Sequence, residues 1–287
     1  MHSLRETIAQ FRAAHKALGH FNVSDSNQLK AVAEAAKEAG LPALVGLSEG
    51  ERNFFPLEHV RAIIDHYRSQ GIELFLNADH TYSIEKVQQA IVAGCDSVII
   101  DGAKLPFVQN AQTAAACVKY ARASGRDVLV EGELGYIGQS SEVVDTLPAG
   151  AVATEAMMTK PEELKKFVDE TGLDMAAPAV GNIHGIVRSG NPKLSIVRIK
   201  ELAEAVSIPL VLHGGSGSSD EEFSGAVRAG IAIIHINTDL RLTYRHGIER
   251  SFAALPNEVA PYKLFTPAVE DMKSYLVQKM RLFAGIE

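Results

Sequence analysis

Three histidines far apart in the chain, His80 in LNADHT, His184 in GNIHG and His213 in LHGGSG, offer the most specific chemistry. Three imidazoles leave one position of a tetrahedral ion open, which is how catalytic zinc sites keep room for water or a substrate oxygen. None of the local helical zinc signatures is present, so convergence on one cation has to come from the fold. Carboxylates recur beside these rings: Asp79 precedes His80, Asp101 closes SVIID, and Glu131 and Glu133 alternate in VEGELG. Asp101 and Glu133 are candidates to hold a second cation or to orient the histidines from an outer shell. Glu131 faces the same side as Glu133 on an extended chain and could take over that role. Taken singly, a histidine is more often a hydrogen-bonded structural residue, and paired acids are often only solvated. It is their accumulation that indicates a site.

A second kind of chemistry lies in HGGSGSSDEE (213–222), where glycines and serines stand just before a helix start. Backbone amides and the helix dipole there favour an anion without any lysine, so phosphate is the expected ligand. The formal net charge of −7 excludes a nucleic-acid or anionic-membrane surface, since phosphate backbones are held by excess Lys and Arg. Phosphate must therefore be held locally. No window approaches the ~18 apolar residues of a membrane span. The opening MHSLRETIAQFRAAHKALGHF reads as an amphipathic helix with no apolar signal core. Cys95 and Cys117 form no metal pair and no disulfide framework, which points to a reducing cytoplasm.

The elements that must position these groups alternate from end to end. Eight β-rich runs are legible: 17–23, 43–48, 73–79, 97–101, 127–135, 174–180, 209–215 and 231–237. Between them apolar residues recur at helical spacing, as at Leu57, Val60, Ile63, Ile64 and Tyr67. Thr159 before Glu162 and Ser219 before Glu222 have capping-box spacing, and Gly40, Gly71 and Gly172 fall where helices should stop. Strand–helix alternation repeated eight times predicts an α/β fold, a (β/α)8 TIM barrel, with an N-terminal helix and a C-terminal helical extension from about Pro267, all in one domain spanning 1–287. The rival, an open doubly wound sheet, lacks a Gly-x-Gly-x-x-Gly after its first strand. In a barrel the C-terminal strand ends build the active site. Asn22, Ser48, Asp79-His80, Asp101, Glu131, Glu133, His213, His235 and Asn237 all fall at such ends, and His184 follows the sixth run. Two long segments, 134–158 and 254–287, stand outside the repeat.

FNV (21–23), LSEG (47–50), LNADHT (76–81), IIDGAKLPF (99–107), EGELG (131–135), GNIHG (181–185) and LHGGSG (212–217), in that order, make nearly the whole chain resemble the class II, metal-dependent fructose-bisphosphate aldolases. The resemblance implies zinc or a related divalent cation on His80, His184 and His213, with Asp101 and Glu133 at a secondary metal position. It implies that Asp79 exchanges the proton at the aldol hydroxyl. Gly185, Gly214, Gly215, Ser216, Asn237 and Thr238 would surround one phosphate of a phosphorylated ketose, and Asn22 and Ser48 would lie toward the other end. A monovalent cation near the glycine loops and a homodimer or homotetramer are also implied. The C-terminal residues Tyr275, Leu276, Met280 and Leu282 offer apolar contacts for such assembly or, equally, for capping their own barrel. No strand carries a lysine for a Schiff base, and Lys104 is the only near candidate, which favours metal chemistry.

Three departures stand out. His235 falls where the family usually has a catalytic asparagine, and Asn237 where an aspartate is common. Asn77 replaces a usual histidine. After the fifth strand GYIGQSSE (135–142) lacks the family's adjacent glutamates, leaving Glu142, beyond Gln139, Ser140 and Ser141, as the expected mobile-loop base. Fructose 1,6-bisphosphate is the favoured substrate, with tagatose bisphosphate or another ketose phosphate as alternatives. A metal-dependent sugar-phosphate epimerase or isomerase, and a phosphosugar-binding protein without turnover, are the competing classes. Ser48, Arg52, Arg188, Lys263 and Arg281 are the candidates for a distal phosphate.

Overall fold

The computed structural model describes residues 2–138, 142–146 and 154–286. Its strands are β1 (Leu18–Asn22), β2 (Ala43–Leu47), β3 (Leu74–Thr81), β4 (Ser97–Ile100), β5 (Leu129–Leu134), β6 (Val143–Val144), β7 (Met175–Pro178), β8 (Ile186–Val187), β9 (Leu210–Leu212) and β10 (Ile231–Ile236). Its helices are α1 (Leu4–Ala13), α2 (Ser26–Ala39), α3 (Glu49–Phe54), α4 (Leu57–Ser69), α5 (Ile84–Val92), α6 (Phe107–Ala123), α7 (Pro161–Thr171), α8 (Ile196–Ala205), α9 (Asp220–Ala229), α10 (Thr238–Ala254) and α11 (Pro261–Phe283). Eight of the strands close in the order β1-β10-β9-β7-β5-β4-β3-β2, every neighbouring pair parallel. This is the expected (β/α)8 barrel. β6 and β8 form a separate two-stranded parallel sheet that the sequence did not suggest.

Period-two alternation explains how the barrel is filled. Every second residue on a strand faces inward. The first inward layer is apolar, made by Leu18, Leu44, Phe75, Leu129, Met175, Val211 and Ile233, and Leu4 and Ile8 of α1 pack against it from outside the strand ends. Two residues further along the strands most inward positions turn polar, at His20, Asn77, Glu131, His213 and His235, with Gly46 and Ala177 between them. The outward residues, such as Phe21, Val45, Leu76 and Val98, join the shell of helices in the main core.

Two local expectations are corrected. α7 begins at Pro161, whose missing N–H suits a first turn, with Lys160 in the cap position; Thr159 is not a cap. Its hydroxyl instead donates to the Leu134 carbonyl (2.6 Å) and its amide to that of Ala179 (2.9 Å), stitching two strand ends together. The last helix starts at Pro261 rather than Pro267, which lies inside it. α11 lies against α2 and α10. Leu276 and Met280 are buried within the chain, and the Tyr275 hydroxyl donates to Asp239 (2.9 Å), so these side chains are already engaged. Ser219 does form its capping box with Glu222, and Gly40 and Gly172 end their helices in the left-handed region.

Candidate metal centre and active site

The barrel brings the three histidines together. One ring nitrogen of each of His80, His184 and His213 lies within 4.8 Å of the others, and His80 Nε2 and His184 Nε2 are 3.1 Å apart. The remaining nitrogen of each ring meets an oxygen: Asp101 Oδ2 at 3.0 Å from His80 Nδ1, the Gly138 carbonyl at 2.7 Å from His184 Nδ1, and Glu131 Oε1 at 2.8 Å from His213 Nε2. Ligand histidines are commonly oriented in this way, since the outer oxygen takes the N–H and leaves the other lone pair facing the ion. Among the described residues, His213 Nδ1 and Glu133 Oε2, 3.4 Å apart, are buried with no hydrogen-bond partner. Such orphaned donors and acceptors call for an occupant. Residues and donor set therefore fit a divalent cation. One atom from each of His80, Asp101 and Glu133 is also gathered within 4.8 Å, the secondary position that the resemblance implied.

Asp79 and His80 are sequence neighbours, and on a regular strand they would face opposite sides. Both line the same cavity. The pairing of β3 with β4 slips between Ala78 and Thr81, and His80 has φ of 35°, in the left-handed region where a side chain is strained. A bulge of this kind re-aims side chains beside active sites. Asp79 Oδ2 accepts from the Asn22 amide at 2.8 Å, while Oδ1 is buried without a partner among the described residues.

Burial works against charge throughout this cluster, and the pattern of exceptions identifies which charges survive. For Asp79, burial is outweighed by His80, His20 and His213 and the Asn22 donor, which hold its carboxyl below the ordinary range. Burial opposes the charged form of His80 too, but Asp79 and the Asp101 hydrogen bond raise its pKa to about 9. His213 is likewise raised against burial by Glu131 and Glu133. His184 goes down to about 3, through burial and the neighbouring His80 and His213. A divalent ion held by the three rings would set positive charge beside Asp79 and Asp101 while leaving the rings neutral as ligands.

A cavity of about 230 Å³ opens above this cluster. At one side it is lined by Gly185, Gly214, Ser216, Asn237 and Thr238, most of the predicted phosphate group. Ser216 Oγ accepts from the amides of Asn237 (3.3 Å) and Asp239 (3.2 Å) at the start of α10. Gly214 sits at φ of 59°, and a Cβ there would stand 2.2 Å from the Ile183 carbonyl. Two details differ from expectation. Gly215 does not line the cavity; its amide donates to the His235 carbonyl at 3.1 Å. The start of α9 is already occupied by its capping box and carries Asp220, Glu221 and Glu222, none of which lines the cavity, whereas Asn237 and Thr238 at the start of α10 do.

The family model for class II fructose-bisphosphate aldolases matches residues 2–286. The chain belongs to that family. It is 32% identical over 288 residues to the probable fructose-bisphosphate aldolase of Bacillus subtilis (strain 168), covering 99% of this chain and 97% of that one. It is 31% identical to the fructose-bisphosphate aldolase of Geobacillus stearothermophilus, covering 99% and 96%. Among solved structures, the YdjI aldolase of Escherichia coli K12 superposes with a TM-score of 0.82 at 27% identity, covering 98% of this chain and 96% of that one. Class II aldolases are lyases and generally metal-dependent, which agrees with the gathered histidines.

In this member of the family the opposite side of the cavity is organised by a residue the sequence reading missed. Glu51, buried on α3, accepts from Asn22 Nδ2 (3.0 Å), from the amide and hydroxyl of Ser48 (2.8 and 2.9 Å) and from Arg241 (2.6 Å). It ties the two predicted distal residues together, and Arg241 of α10 lines the cavity beside them. The spacing Ser48-x-x-Glu51 was the available signal. Of the proposed distal cations, Arg52 is turned away, donating to the carbonyls of Leu47 and Asp79 and to Thr81. Arg188 pairs with Asp145, Lys263 pairs with Glu258, and Arg281 is exposed; none lines the cavity. Glu142 is exposed and off the cavity lining, its carbonyl accepting from the amide of Ile186, two residues past His184. Gln139, Ser140 and Ser141 lie outside the described residues. His235 lines the cavity, and burial with neighbouring His20 and His213 holds it well below the usual histidine range, a neutral ring. No helix of the described residues is long and apolar enough to cross a membrane.

Proposed function

We propose that the chain reversibly cleaves fructose 1,6-bisphosphate to dihydroxyacetone phosphate and glyceraldehyde 3-phosphate, with a divalent cation, zinc in the first place, held by His80, His184 and His213. The observation that carries this reading is the three rings, each tied at one nitrogen by an oxygen and gathered at the other. A cation bound there supplies Lewis-acid chemistry, withdrawing electrons from substrate oxygens as the carbon–carbon bond breaks. The protein's own groups do the rest. Ser216 and the start of α10 hold the phosphate of the three-carbon fragment that becomes dihydroxyacetone phosphate. Asp79, ionised and with Oδ1 available, accepts the proton of the hydroxyl on the fourth carbon, whose oxygen becomes the aldehyde as the bond from carbon three to carbon four opens. Carbon three must then gain a proton to complete the triose; Glu142 is proposed to deliver it, which requires its carboxyl to enter from its exposed place off the cavity lining. Asn22 keeps Asp79 oriented, and Ser48 with Arg241 attends the distal end.

Purified protein supplied with fructose 1,6-bisphosphate should lose triose production on chelation and regain it with added zinc; cleavage indifferent to the chelator would overturn the reading. Running tagatose 1,6-bisphosphate alongside decides between the epimers. Glycolytic use and assembly as a homodimer or homotetramer belong to the same proposal. Phe252, Leu255, Val259 and Tyr262, all exposed around the junction of α10 and α11, are better placed for a subunit contact than the engaged side chains of α11. Light scattering that finds only monomer removes the assembly claim.

A further inference from the structure

His20, in the middle of β1, belongs to no motif that marks the site, yet it is fully buried inside the barrel among the residues that do. Its Nε2 lies 3.1 Å from Asn77 Oδ1, and the Asn77 amide donates to Ser97 Oγ at 2.7 Å. With the Asn77 amide spent on Ser97, its oxygen must accept, which places the His20 proton on Nε2. At that edge of the ring β2 carries Gly46, where a Cβ would stand 2.1 Å from His20 Cε1, so any larger residue would expel the ring. His20 stacks on His235 with centroids 3.5 Å apart and planes 6° from parallel. His235 stacks in turn on His213, at 4.2 Å and 22°. His235 Nδ1 stands 3.7 Å from Asp79 Oδ1, too far for a direct hydrogen bond. A substrate oxygen about 2.8 Å from each would bridge the two.

We propose that His20 is a positioning residue for the aldol reaction: anchored through Asn77 and Ser97 and admitted by Gly46, it is the flat support that keeps His235 in the plane from which it meets the substrate hydroxyl attended by Asp79. This rests on the aldolase reading. His20 touches no substrate; it acts through His235. Asn77 and His235, both departures from the family pattern, then belong with His20 to one arrangement.

The test compares His20→Ala and His20→Gln with the wild type in zinc-loaded protein. Glutamine keeps a planar group and a donor for Asn77, whereas alanine keeps neither. His20→Ala should lower kcat about tenfold or more with KM changed less than about threefold and zinc content unchanged, while His20→Gln stays within about threefold of wild type. Side-chain relaxation of carbon-13-labelled histidine gives a readout independent of turnover: the wild-type His235 ring should be rigid, and in His20→Ala mobile. The inference is overturned by wild-type cleavage rates in His20→Ala, by a loss confined to KM or zinc content, or by a glutamine variant no better than alanine. Should neither variant fold, a mobile His235 ring in the wild type overturns it equally. A wild type that releases no triose sinks the aldolase reading instead, and the relaxation data still decide whether His20 fixes His235.

Discussion

Two groups of histidines share the upper barrel and are held by different physics. His80, His184 and His213 are each fixed by a hydrogen bond to an oxygen on the nitrogen that faces away from the others. His235 is fixed by stacking between His20 and His213, and its Nε2 has no partner among the described residues, while His20 beneath it is held at one nitrogen by Asn77. A hydrogen bond to one nitrogen selects the tautomer and aims the other lone pair, which a metal ligand requires. Stacking fixes only the plane of a ring, leaving its edge available to whatever enters the cavity. On the proposed reading the first group suits an ion, while in the second His20 supports the plane of His235, whose edge is left to meet a substrate.

The largest effects should come from breaking the first group. His213→Ala removes a ligand and leaves Glu131 and Glu133 buried without their partner, so cleavage should fall about a thousandfold or more together with zinc content. Full metal content in this variant would separate the rings from the ion. Replacing only the outer oxygen is milder. Glu131→Gln should weaken zinc affinity about 10- to 100-fold, read by competition with a chelator, while saturating zinc restores most of the activity. If zinc affinity is unchanged, Glu131 is a charge partner of His213 and not an orienting one.

A smaller effect is expected away from both groups. Ser216→Ala removes the acceptor for the amides of Asn237 and Asp239, worth about 1 kcal/mol, so phosphate binding should weaken about fivefold with no change in zinc content. A rise in KM for substrate without a fall in kcat would confirm that this side only holds; a fall in kcat would tie the start of α10 to the chemistry.

What could be read beforehand follows the same division. The eight strands were legible because a parallel barrel buries both faces of each strand and leaves continuous apolar runs ending in polar residues. The three gathered histidines were legible because each sits in a short motif at a strand end or in the loop that follows it. His20 was not, because it lies in mid-strand, where period two says only that it faces inward and nothing says what it meets across the barrel. Glu51 was overlooked although its spacing from Ser48 was visible, since its value comes from Asn22 and Arg241, which the fold alone brings to it. Thr159 misled for the opposite reason: its spacing suits a helix cap, but Pro161 starts the helix and the hydroxyl is taken by a strand carbonyl. Gly214 and Gly215, adjacent in one motif, separate by which amide is already used.

The finest test of the comparison is His235→Asn, which puts the family's usual residue at the edge of the cavity. A neutral imidazole and a carboxamide each offer one group that donates and one that accepts, so the contact with a substrate oxygen can survive the exchange. What is lost is the ring between His20 and His213. Zinc content should not change, because His213 keeps Glu131, and kcat should stay within about tenfold of wild type, whereas His235→Ala, which removes the donor itself, should cost about a hundredfold. If asparagine proves as damaging as alanine, the stack contributes more than the hydrogen bond. If zinc is lost with His235, the two groups of histidines are one, and the division between holding an ion and meeting a substrate fails at the 4.2 Å contact between His213 and His235.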